Sequence, residues 1–180
     1  KSDIKRTFSL YATDATTTSD GIFTLSQKGV VNDLGGWITL SNNEVTLEAK
    51  QQKNVPFKIT VPASAQPGDH AAGIVVEETL PQNPEGVSIV SRIGVRVYLS
   101  VSGQEHENLN ISNIGFDNML SAKKINITLS NDGNVSEKIK TDYMVLSLNG
   151  FKNFSVNKDR VVFAGKKILL SDELNAALPM

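Results

Sequence analysis

The sequence predicts an all-β protein built from two tandem immunoglobulin-like β-sandwich domains. Three observations lead there. Apolar and polar residues alternate along most of the chain, while helical spacing is nearly absent. Clusters of Gly, Pro, Asn, Asp and Ser punctuate the alternation every few residues. Seven or so short strands so punctuated describe a sandwich, and a second series follows the first.

The first series reads "RTFSLYATDA", "GIFTLS", "WITLS", "EVTLEA", "VPFKITVP" and "HAAGIVVEETL", with turns at "TTTSDG", "NDLGG", "SNN" and "PQNPEG". Its last and clearest run is "VSIVSRIGVRVYLSV". Val87, Ile89, Ile93, Val95, Val97, Leu99 and Val101 share one face; Ser88, Val90, Arg92, Arg96, Tyr98 and Ser100 share the other. An extended run of this length would span about 50 Å at ~3.3 Å per residue. That is beyond an ordinary strand, so Gly94 is expected to mark a bulge or bend.

Alternation fades over the polar stretch "SGQEHENLN". The second series then reads "LNISNIGF", "KKINITLSN", "EKIKTDYMVLSL", "FSVNKDRVVF" and "KKILL". "NDGN" at 131–134 is expected to be a hairpin turn with Gly133 at positive φ. "SDELNAALP" is expected to form a short helix capped by Ser171, with Asp172 and Glu173 at its N-terminus. A boundary near Gly103 divides the chain into domains 1–103 and 104–180. The first domain opens as if inside a strand and is expected to lack its first one. The second is short for a sandwich and is expected to be incomplete.

Composition removes several functions. The net charge is −1, and no stretch concentrates Lys or Arg, so the electrostatic footprint of a nucleic-acid partner is missing. Lys and Arg number nine in each domain, and Asp and Glu ten and nine, so neither half specialises in charge. No run approaches the ~18–20 apolar residues of a membrane span; membrane attachment is expected only through a segment outside this sequence. The chain has no cysteine, which excludes disulfides, zinc–thiolate sites and thiol nucleophiles. No cofactor is expected.

Each candidate site also has a structural role open to it. Asp69-His70 suggests an acid–base pair. Neighbours in a strand point to opposite faces, however, and no GxSxG elbow accompanies them. Pro67-Gly68 reads instead as a tight turn in which Asp69 bonds turn amides and the strand begins at His70. Asp14 and Asp20 lack the alternating oxygen ligands and closing Glu of a calcium loop, so no metal site is expected and Asp20-Gly21 reads as a turn. Trp37, the only tryptophan, reads as core in a strand; exposed, it would be a platform for sugar rings. Arg92, Arg96 and Tyr98 line one strand face, either solvated or contacting an anionic polymer or protein. Sequons begin at Asn110, Asn126, Asn134 and Asn153; Asn suits turns and strand ends there. No catalytic residue is expected.

The pieces "DATTTSDG", Trp37 before a strand, "VPFKITVPASAQPGDHAAGI" and "RIGVRVYL", in that order over roughly residues 6–101, resemble the peptidoglycan-binding domain of WxL-interacting proteins from Gram-positive cell surfaces. The resemblance implies a wall-attached immunoglobulin-like domain followed by a second β domain, which in some members binds host proteins. It also implies an extracellular, cell-wall location. On this reading the protein is a non-catalytic surface protein. It would bind peptidoglycan or another cell-surface protein, with a host protein as a further partner. Asp14, Thr16, Trp37, Arg92, Arg96 and Tyr98 would form a shallow polar ligand site. The alternative is a structural stalk or assembly module that pairs through an open sheet edge. An enzyme such as a glycan hydrolase is disfavoured, because nothing sets two carboxylates ~5–9.5 Å apart in a cleft.

Overall fold

Period-two alternation becomes strands throughout the computed structural model, which describes residues 3–18, 21–79, 90–119, 122–147 and 150–174. In order these are β1 (Arg6–Thr17), β2 (Phe23–Leu25), the single helical turn α1 (Leu34–Trp37), β3 (Ile38–Leu40), β4 (Glu44–Leu47), β5 (Phe57–Ile59), β6 (Gly68–Glu78) and β7 (Arg92–Val101). There follow β8 (Leu109–Met119), β9 (Ala122–Asn131), β10 (Glu137–Ser147), β11 (Gly150–Val162) and β12 (Lys167–Leu174). The expected "PQNPEG" turn, Asp20, the start of the long run at Val87 and Ile89, and the end of the expected C-terminal helix lie outside the described residues. The protein is all-β with immunoglobulin-like sandwich architecture.

The chain forms two compact units. One comprises Lys1–Ala15, Leu25–Gln66 and His70–Leu99; the other comprises Thr16–Thr24, Pro67–Asp69 and Ser100–Met180. The main sheet has the order β2-β1-β6-β7, and β4 also joins β1. β1 is long enough to serve several partners: Arg6–Ser9 pair with β4 and Phe8–Asp14 with β6, both antiparallel. A β3–β5 ribbon supplies a second layer. The first unit's core lies between Ala12, Ala72, Ile74, Val97 and Leu99 on one side and Leu34, Trp37, Ile38, Leu40 and Ile59 on the other. The small residues of "HAAGIVV" have a steric reason. A Cβ on Gly73 would stand 2.5 Å from the Leu25 side chain. Gly94 serves the same leucine, since a Cβ there would come 2.4 Å from Leu25 Cδ1. It lies inside β7, and close approach is what requires it, where a bend had been expected.

In the second unit β9 is the central strand of a sheet ordered β12-β9-β8, and β10–β11 form a two-stranded ribbon. Ile125, Ile127 and Leu129 of β9, Ile168 and Leu170 of β12, Tyr143 of β10 and Val162 of β11 make its core. Two sequence expectations change here. Residues 131–134 do not close a hairpin: β9 pairs with β8 and β12, whereas β10 pairs with β11. Gly133 is absent from the residues at positive φ. It is glycine because a Cβ would meet His106 O at 2.2 Å. Ser171, Asp172 and Glu173 belong to strand β12, with no helix among the described residues there. The reason is packing: Ile168, Leu170 and Asp172 alternate onto the core face, and that period-two requirement overrides a helix-like cap signal.

Asp172 is buried because Arg160 is buried with it. Arg160 Nη1 donates to Asp172 Oδ2 at 2.9 Å and to Thr141 Oγ1 at 3.1 Å, and Nη2 donates to Asp172 Oδ1. The Tyr143 hydroxyl donates to Asp172 Oδ2 at 2.7 Å. An ion pair this deep gains Coulomb energy but loses the hydration of both charges, so its net value is small while the cost of breaking it is large. Asp172→Ala is therefore expected to destabilise the protein by about 3–5 kcal/mol, and the double variant Arg160→Met/Asp172→Leu to recover most of that loss; urea unfolding of the set checks it. Burial, and then the bond to Asp172, hold the Tyr143 phenol above its ordinary range. As pH rises the unfolded chain releases that proton first. The contribution to stability is complete below about pH 10 and is lost above it. Tyr143→Phe is expected to flatten the alkaline fall in unfolding free energy.

Candidate binding edge

Asp14 and Trp37 both serve the α1 turn. Asp14, buried near the end of β1, accepts from the backbone N–H groups of Asn32 (2.6 Å), Asp33 (3.1 Å) and Gly35 (2.8 Å). It caps a turn 20 residues away in sequence that has no side-chain cap of its own. Gly35 permits this, because a Cβ there would lie 2.7 Å from Asp14 Oδ1. Trp37 ends α1 and does not sit within a strand. It is half-buried against the Leu34–Ile38–Ala72 cluster, and the His70 ring lies over it at 4.6 Å. Thr16 is half-buried in β1 and belongs to the second unit.

The Asp69-His70 pair separates into two roles. His70 Nδ1 lies 2.7 Å from Asp33 Oδ1, and Nε2 lies 2.9 Å from the Gln66 carbonyl oxygen. Asp69 Oδ2 accepts from the Ser136 N–H at 3.0 Å, and the Asp69 N–H donates to Asn134 O at 2.8 Å. Asp69 thus binds a remote loop and not its own turn, and the strand begins at Gly68. Gly68 takes φ +122, and a Cβ there would meet Asn134 O at 2.2 Å, so the Pro-Gly corner is held against residues of its own unit. Among the described residues no three His, Asp or Glu side chains converge as metal ligands. None of the helices found there is long and apolar enough to cross a membrane.

Arg92, Arg96 and Tyr98 lie exposed along one face of β7. Arg92 Nη2 donates to the carbonyls of Leu25 (3.1 Å) and Ser26 (2.9 Å). What sequence reasoning missed is the state of the opposite face. Val97 and Leu99 pack on the core, but Ile93 and Val95 are 70% and 61% exposed. β7 is also the terminal strand of its sheet. Among the described residues no strand follows it in the sheet, and Ile93 and Val95 stand open to solvent. Alternation alone reads such a row as core; the three large or charged residues on its other face were the only hint that the strand is solvated.

The terminal strand of an immunoglobulin-like sheet is a place where a further strand can add. No family model matches the chain, and no curated protein matches it. Several solved structures share its fold. One is a chaperone–tip adhesin complex of CFA/I fimbriae biogenesis, at 17% identity and TM-score 0.54 over 94% of this chain and 74% of that one. The class 5 fimbriae chaperone CfaA is similar at 14% identity and TM-score 0.50, covering 100% of this chain and 84% of that one. The third is the CsuC–CsuE chaperone–tip adhesion subunit pre-assembly complex of the archaic chaperone-usher Csu pili of Acinetobacter baumannii. There the identity is 11% and the TM-score 0.51, over 97% of this chain and 77% of that one.

These findings correct the resemblance to WxL-interacting proteins. The three structures named are of a fimbrial chaperone and of chaperone–tip subunit complexes, and nothing supports peptidoglycan binding. The physical reason lies in what those segments build. "VPFKITVPASAQPGDHAAGI" codes for a strand, the Gly68 corner and a small-residue strand that admits Leu25. Those are needs of the fold and carry no ligand.

The Asp14 geometry is testable. Asp14→Ala leaves three turn amides without their acceptor. It is expected to cost about 2–3 kcal/mol, with faster hydrogen exchange at Asn32, Asp33 and Gly35 than in the wild type.

Proposed function

We propose that the protein is a non-catalytic assembly module of the cell envelope that pairs, through the open edge of β7, with a sheet of another cell-surface protein. The observation that carries this is the terminal strand Arg92–Val101, exposed from Arg92 to Arg96 with Ile93 and Val95 uncovered. Pairing would add backbone hydrogen bonds along that edge, while alternate apolar side chains enter the partner's sheet. Arg92 and Arg96 on the other face would favour carboxylates on the partner. Support also comes from the fold shared with fimbrial chaperones, two of them solved as complexes with tip subunits. In this proposal the division near Gly103 is functional: residues 1–103 carry the β7 edge, and 104–180 form a second β domain.

The probe is a fimbrial tip-adhesin subunit, diluted from denaturant into buffer containing the whole chain. The expected result is a soluble 1:1 complex by size-exclusion chromatography with light scattering, and its loss in an Ile93→Asp/Val95→Asp variant. If the subunit precipitates equally with and without the protein, the reading is wrong.

A further inference from the structure

The second unit has an open edge of its own. β8 pairs with β9 and, among the described residues, with no strand on its other side. In the β8–β9 register, Leu109, Ile111, Ile114 and Phe116 stand opposite Asn131, Leu129, Ile127 and Ile125. Residues directly opposite share a face, and those four β9 residues are buried. The β8 side chains therefore continue the core face, yet Ile111, Ile114 and Phe116 are 61%, 54% and 67% exposed. The irregularity between Ile111 and Asn113 keeps all four on that face.

The opposite face carries an unfinished pattern of charge. Asp117 stands opposite Lys124 on β9, and Lys124 stands opposite Glu173 on β12, with Lys124 Nζ 3.3 Å from Glu173 Oε1. The row reads minus, plus, minus across three strands and ends on Asp117 at the open edge. Asp117 is the only charge in β8. A strand added here therefore needs alternate apolar residues on one face and a cation opposite Asp117.

β7 has that sequence. Laid antiparallel to β8 with Ile93 opposite Phe116, it places Val95 opposite Ile114, Val97 opposite Ile111 and Leu99 opposite Leu109. The same register sets Arg92 opposite Asp117. We propose that β8 is an acceptor edge and that β7 of a second copy of this chain is the strand that fits it, giving head-to-tail self-association. The inference rests on the reading of β7 as a donor edge. It is a heterologous contact, in which one copy's donor meets the next copy's acceptor.

Val95→Lys blocks the donor and Ile114→Lys the acceptor. Both positions are exposed, so neither charge enters a core. In analytical ultracentrifugation the wild-type mass is expected to rise with concentration while each variant stays monomeric. A mixture of the two variants is expected to form a heterodimer and nothing larger, because one intact donor and one intact acceptor remain. Asp117→Arg is expected to weaken association about tenfold, and combining it with Arg92→Asp to restore it. A wild type that stays monomeric overturns the inference, as does a mixture of variants that does not pair. If the wild type is monomeric while β7-dependent capture of the tip-adhesin subunit persists, self-pairing alone falls and the donor reading of β7 stands.

Discussion

Every β-strand has two hydrogen-bonding sides, and the terminal strand of an open sheet fills only one. The architecture is organised by where that debt is met. β1 and β9 have partners on both sides and hold the buried residues around them. Among the described residues β7 and β8 end their sheets, with no further strand paired beyond them. Replacing water by a partner strand gains only about 0.5–1.5 kcal/mol net per hydrogen bond. Backbone pairing by itself therefore supplies geometry more than affinity. The apolar row decides the outcome: covering a side chain such as Ile93 or Phe116 is worth about 1.5–3 kcal/mol. An edge with such a row can hold a partner, whereas one without it is merely wet.

Away from the edges, the loops meet the same backbone demand with side chains. Asp14 takes three amides of the α1 turn. Asn131, fully buried, donates to the carbonyls of Val135 and Val162 and accepts from the Gly133 N–H. Asn134 donates to the carbonyls of Pro67 and Gln104 and accepts from the His106 N–H. Each is a short polar residue joining segments far apart in sequence. Asn134 was also a sequon asparagine, and its half-buried amide is used up in structure. Such residues make connections rigid without lengthening the strands.

How much of this is legible beforehand depends on range. Strand identity rests on local alternation, so β1, β6, β7, β9 and β10 can be read directly. Close approach can be suspected from small residues but not aimed: "HAAGIVV" suggests tight packing, while Leu25 as the intruder follows only from the fold. Asp14 looked like a ligand because acidic residues in a Thr-rich stretch look alike whether they face solvent or backbone amides. The Arg160–Asp172 pair had a usable signal. Arg160 alternates with Val162, and Asp172 with Ile168 and Leu170, which aims both charges inward from opposite strands. A helix over 171–179 matched the local cap chemistry, but local chemistry cannot outweigh a strand with a core to complete.

Charge along the two edges limits which strands the proposed assembly module would join. Exposed edges are commonly blunted by charged side chains. β7 carries Arg92 and Arg96 on the face opposite its apolar row, so two copies of β7 meeting edge to edge in parallel register would set like charges opposite each other. β8 carries only Asp117, and a β8–β8 pair would gain no compensating cation. The combination without a like-charge penalty is a basic strand against an acidic or neutral edge. The residues that make β7 an awkward partner for itself are thus the ones that select what it can join.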